Sequence, residues 1–87
     1  MDKVYILFKT ENDQCHEPET EVLGVYFNDK AVKTAMVENK AAGITFAESI
    51  GCPKDECEIN ETDMSYTVRD ACYVTFYKLW IEEHKVQ

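Results

Sequence analysis

The residues with the most chemical potential in this 87-residue chain are its thiols and imidazoles: Cys15 beside His16, Cys52 and Cys57 with four residues between them, Cys72, and His84 near the carboxyl end. Thiolate and imidazole are the ligands a tetrahedral zinc ion takes, and structural zinc sites supply them in pairs separated by about two to four residues. That separation occurs here once, and adjacent Cys15 and His16 cannot easily serve one ion together. Zinc held by Cys52 and Cys57 is therefore a secondary reading. A reversible disulfide between the same two thiols is another, set back by the lack of a tight Cys-x-x-Cys motif and by the acids around them, which oppose thiolate formation.

Other catalytic constellations are weaker. His16 lies in an acidic stretch and His84 in a polar tail, where each reads as a surface histidine. General acid work needs a carboxyl group held in a low-dielectric site that raises its pKa, and no acidic residue sits inside an apolar run. Gly24, Gly43 and Gly51 form no phosphate-cradling pattern. The expectation is a protein without catalytic residues, cofactor or resident metal, a small enzyme of unknown class being an alternative.

Charge narrows the partners. Seventeen acidic against nine basic residues give a formal net charge of -8, which repels nucleic-acid backbone and anionic lipid in the absence of a segregated basic patch. The tyrosines could stack on bases, yet they lack the adjacent cations such surfaces carry. No apolar run approaches the roughly 18 residues of a membrane span. The opening Met1-Asp2-Lys3-Val4 lacks the features of a secretory signal, so a cytoplasmic location with reduced thiols is expected.

The elements that must position these groups follow from periodicity. Residues 71–81 hold Tyr73, Phe76, Tyr77 and Trp80 and carry bulky side chains at odd and even positions alike. Successive strand residues face opposite ways, so this stretch reads as an inner strand covered on one face by a helix. Cys72, within it, reads as a small buried hydrophobe. Residues 3–9 form a first strand with Val4, Ile6 and Phe8 on its core side, and 10–21 an acidic loop. Residues 21–27 form a second strand, antiparallel to the first, in which Gly24 allows a bulge or a close approach.

Asn28 and Asp29 are both candidate caps for a helix ending at Ala42 and stopped by Gly43. Its stripe of Ala31, Val32, Ala35 and Met36 suits close packing on a sheet. Residues 44–51 read as a short second helix with Thr45 and Glu48 as a capping box and Gly51 as terminator, an extended stretch being the alternative. A polar segment runs on to Asp63, residues 64–68 form a third strand, and 82–87 a polar tail that is frayed or extends the last strand. The fold class is α+β: an antiparallel sheet of about four strands, one main helix on one face, order β-β-α-(α)-β-β, in a single domain.

Two features point to protein interaction. Five tyrosines, four phenylalanines and one tryptophan fall almost wholly in strands, on a sheet whose main helix covers one face, and Tyr and Trp are enriched where protein surfaces meet. The acids gather in residues 11–21 and 48–63, where they could rim such a surface and steer a basic partner. The interface residues expected are Tyr5, Tyr26, Tyr73, Tyr77 and Trp80 with Asp55, Glu56 and Glu58. The partner is another protein, one with a basic surface, or a second copy of this chain.

Three segments carry a resemblance: Lys3-Val4-Tyr5-x-Leu7, the box Gly24-Val25-Tyr26-Phe27-Asn28-Asp29-Lys30-Ala31, and Tyr77-x-Leu79-x-Ile81-Glu82. Together they resemble a group of small uncharacterised α+β domains from bacteria and their phages, in which a similar box joins strand to helix and the chain ends in a strand. The resemblance implies no catalytic residues. In size and acidity the chain is also similar to the accessory proteins with which phages bind and disable a host factor, which implies an inhibitor.

Overall fold

The computed structural model describes residues 3–13, 17–52, 55, 57–70 and 75–85. Tyr73, Glu56, Cys15, His16 and Cys72 lie outside them, and so do the expectations attached to those residues. In chain order the described elements are β1 (Lys3–Glu11), β2 (Glu19–Tyr26), α1 (Asp29–Ser49), β3 (Cys57–Thr62), β4 (Ser65–Asp70) and β5 (Thr75–Lys85). The strands form one antiparallel sheet in the order β2-β1-β5-β4-β3. The α+β class, the main helix on one face and the inner position of the last strand all stand as expected.

The strand count is five instead of about four, because part of the polar segment pairs. Cys57-Glu58-Ile59-Asn60-Glu61-Thr62 lies along β4 as an edge strand. An edge strand needs little apolar content, since its backbone is satisfied by one neighbour and its side chains stay wet. The two ends of the acidic stretch 10–21 are strand as well, with Thr10 opposite Thr20 and Glu11 opposite Glu19. Of the two alternatives for the polar tail, Glu82, Glu83, His84 and Lys85 take the second and extend β5 along β1.

The helix begins where Asn28 caps it, its Oδ1 accepting the Ala31 amide at 2.7 Å and so satisfying a donor that has no intrahelical partner. It then runs through Gly43 to Ser49 as one element, in place of two helices broken at Gly43. Thr45, the expected cap of a second helix, donates its hydroxyl to the Ala41 carbonyl one turn back. The chain leaves the helix at Gly51, whose φ of 93° lies where residues with a Cβ pay a steric cost.

The core forms between α1 and the inner strands. Val32, Ala35, Met36 and Ala47 of the helix meet Leu7, Tyr66, Val68, Phe76, Tyr77, Leu79 and Ile81 of the sheet, with Cys52 at one end. Val32, Leu7, Val68 and Leu79 are fully buried, and each such side chain contributes about 1.5–3 kcal/mol over leaving it exposed. Leu7 fixes the facing of β1. Its odd residues turn to the helix, so Val4, Ile6 and Phe8, expected on the core side, face the other way.

Candidate functional site

The sheet face that α1 leaves uncovered is built from cross-strand rows. Residues directly opposite one another in neighbouring strands share a face, and the register places Val22 beside Phe8, Phe8 beside Trp80, and Trp80 beside Ser65. A second row holds Val25, Ile6 and Glu82. On the other side of the aromatic row come Thr20, Thr10, Lys78 and Thr67. The centre of the face is thus apolar and its flanks are hydroxyls and charges, the division found at protein interfaces.

A bulge makes the patch continuous. Val22 and Val25 are three apart and would face opposite ways in a regular strand, but the register shifts between Leu7 and Phe8, leaving Leu23 as the extra residue. Leu23 packs against the core, while Val22 and Val25 both stand on the open face, 55% and 53% exposed. Gly24 sits at this irregularity. A Cβ there would lie 2.7 Å from the Tyr26 hydroxyl oxygen, so the glycine lets the Tyr26 ring lie back over its own strand.

Trp80 is held from three sides. Its ring stacks on Phe8 with centroids 5.1 Å apart and planes 12° from parallel. The Lys78 ammonium stands 5.2 Å from its ring centroid, within cation–π range. Its indole N–H donates to Glu82 Oε2 at 3.1 Å, and the other oxygen of that carboxylate meets His84 Nε2 at 3.0 Å. The Trp80 hydrogen bond, followed by that from His84, holds the Glu82 carboxyl below its ordinary pKa.

The expected interface residues divide. Trp80 lies on the open face. Tyr77 is instead a core residue, 1% exposed, with its hydroxyl donating to the Asn39 carbonyl oxygen of α1 at 3.1 Å. Tyr5 and Tyr26 stand opposite each other on the helix side and pack against the core. Residue type favours all three tyrosines for an interface, but alternation in register puts them under the helix. Glu58 pairs with Arg69 at 2.8 Å, and that guanidinium holds its carboxyl below the usual range. Asp55 is exposed beside the start of β3, two strands away from Trp80 in the sheet. Ile6, Phe8, Val22 and Val25 were missed, although their apolar character was legible.

The first acidic segment does converge. Glu11, Asp13, Glu17 and Glu19 line a cavity of about 310 Å³ with Phe46 of α1. Lys9 reaches into the same region and meets Glu21 and Glu11; its pKa is raised, chiefly by the hydrogen bond to Glu21. This acidic cavity lies on the helix side, away from the Phe8–Trp80 face.

The thiols behave differently from the spacing argument. The Cys52 and Cys57 sulfurs approach to 3.1 Å, one just after α1 and the other opening β3. Among the described residues they have no third Cys, His, Asp or Glu grouped with them in a way that would hold a metal ion. His84 stays on the exposed surface with Glu82. No described helix is long and apolar enough to cross a membrane. No family model matches the chain, and no characterised protein or solved structure matches it either.

Proposed function

We propose that this chain is a non-enzymatic protein-interaction module that binds through its open sheet face, centred on the Phe8–Trp80 stack. The observation that carries the reading is the row Val22, Phe8 and Trp80 with Val25 and Ile6 beside it, an apolar patch that no described element covers. Contiguous exposed apolar surface with a polar rim is costly to keep in water and marks contact sites. Buried aromatic anchors supply most of the energy at such sites.

The partner is another protein, with an apolar patch of its own and a basic surface around it. Two copies of a chain with net charge -8 repel, whereas a basic partner is drawn in by the negative field of the molecule as a whole. The likeness in size and acidity to phage accessory proteins supports the role of an inhibitor of a host factor.

Affinity capture from a cell lysate tests this when wild type is compared with the double substitution Val22→Thr and Val25→Thr, which keeps β-branched side chains on exposed positions. A partner held by wild type, lost in the double variant and released by salt supports the reading. Capture that survives the double variant but fails on charge reversal at Glu11 and Glu19 moves the interface to the acidic cavity. Retention of nothing by a monomeric protein overturns it.

A further inference from the structure

We propose that Cys52 and Cys57 form a dithiol site that undergoes reversible thiol–disulfide exchange with small disulfides such as glutathione disulfide, closing a bond between the end of α1 and edge strand β3. The inference is independent of the open-face reading, since these residues belong to the helix side of the molecule.

Three observations converge on the pair. The two sulfurs are 3.1 Å apart, so forming a bond of about 2.05 Å needs a movement of only about 1 Å. Cys52 is held in place by its backbone, its N–H donating to the Ala47 carbonyl oxygen at 2.9 Å just after the turn at Gly51. Cys57 is placed by the β3–β4 ladder: Ile59, on the same face of the strand, stands opposite buried Val68, so Cys57 turns toward the helix side where Cys52 waits. Folding therefore brings the thiols together from two separately anchored elements.

Their unequal exposure gives each a role. Cys52 is buried, 8% exposed, and Cys57 is half-buried, so Cys57 is the thiol an outside disulfide reaches. The Cys57 thiolate attacks one sulfur of glutathione disulfide, forming a mixed disulfide and expelling one glutathione thiolate. Cys52, deprotonated to solvent, then attacks the Cys57 sulfur and expels the second glutathione thiolate. Two protein thiols are oxidised to one disulfide, one glutathione disulfide is reduced to two thiols, and the protons lost from the cysteines end on the glutathione. Excess reduced glutathione runs both steps backward.

The consequence is mechanical. Strand β3 is an edge element that pairs with β4 alone, and the bond ties its first residue to the helix end. The test equilibrates the native chain in glutathione buffers of graded ratio, quenches with acid, alkylates, and maps the digested peptides by mass. Wild type is expected to pass from two alkylated cysteines at 52 and 57 to a linked pair lacking two hydrogens. In Cys52→Ser, Cys57 is expected to accumulate as the glutathione mixed disulfide, because the resolving thiol is gone. Thiols that stay alkylatable across the whole series, or oxidation that joins either one mainly to Cys15 or Cys72, would overturn the assignment.

Discussion

Gly43 of α1 and Tyr77 of β5 occupy one space. A Cβ on Gly43 would lie 2.5 Å from Tyr77 Cδ2, closer than two carbons can stand, so the helix comes down on the Tyr77 ring because residue 43 has no side chain. The ring cannot swing aside freely: its hydroxyl bonds the Asn39 carbonyl oxygen and Phe46 tilts against it with centroids 6.3 Å apart. A glycine that reads as a helix terminator is the seat of a helix-to-sheet contact.

Gly43→Ala tests that contact. Alanine at a free helical position would add about 1 kcal/mol of stability, while overpacking a core costs about 1–3 kcal/mol. With the Tyr77 ring pinned, overpacking is expected to win, giving a net loss of about 1 kcal/mol or more in urea denaturation. A gain in stability would show that the ring yields. Adding Tyr77→Leu should remove part of the penalty, so the two changes will not add.

The Phe8–Trp80 stack predicts a separation of binding from folding. Trp80→Ala should lower stability by about 1–2 kcal/mol, from the lost stack and half-buried ring, while removing partner capture altogether. Near-normal capture by a folded Trp80→Ala protein would count against the open face. Glu82 gives a spectroscopic check on the same ring. Its carboxyl pKa is lowered in the folded protein, so the stabilisation it provides is present above the unfolded carboxyl pKa and is lost as pH falls through the folded one. Trp80 fluorescence should change in that acid window in wild type and not in Glu82→Gln.

Asn28→Ala removes the side-chain acceptor for the Ala31 amide and should cost about 1 kcal/mol, with Asn28→Ser retaining most of it. Thermal denaturation followed by circular dichroism measures both. An unchanged midpoint in Asn28→Ala would mean that Asp29 takes over the cap.

Alkaline pH is expected to destabilise the fold. Burial is the first cause that raises the Tyr77 and Tyr66 phenols above their ordinary value, with nearby acids adding to it, and Lys9 is raised by its hydrogen bond to Glu21. Each group holds its proton more tightly folded than unfolded, so the stability it contributes is intact below the unfolded pKa of about 10 and is lost as pH rises through the folded value. Tyrosinate absorbance should show two phenols titrating together with unfolding, a coupling that Tyr77→Phe reduces.

The sequence by itself determined the α+β class, the cap at Asn28, the paired first strands and the inner place of the last strand, because these rest on local propensity and period: an Asn before a helical stripe, β-branched runs, apolar residues on both faces of residues 75–81. It also held the apolar character of Val22, Val25, Ile6 and Phe8. Which face each of these residues occupies was decided only by the tertiary structure. One side of β1 offers Val4, Ile6 and Phe8 and the other Tyr5 and Leu7, and a strand that is apolar on both sides does not say where the helix will lie; the helix settled on Leu7 and Tyr77, where Gly43 let it approach. The bulge at Leu23 then brought Val22 and Val25 to one face, and the ladder that recruits polar residues 57–62 as an edge strand brought the Cys57 sulfur to that of Cys52. Period and propensity act within a few residues, whereas register, bulges and helix placement are fixed by contacts between segments far apart in the chain.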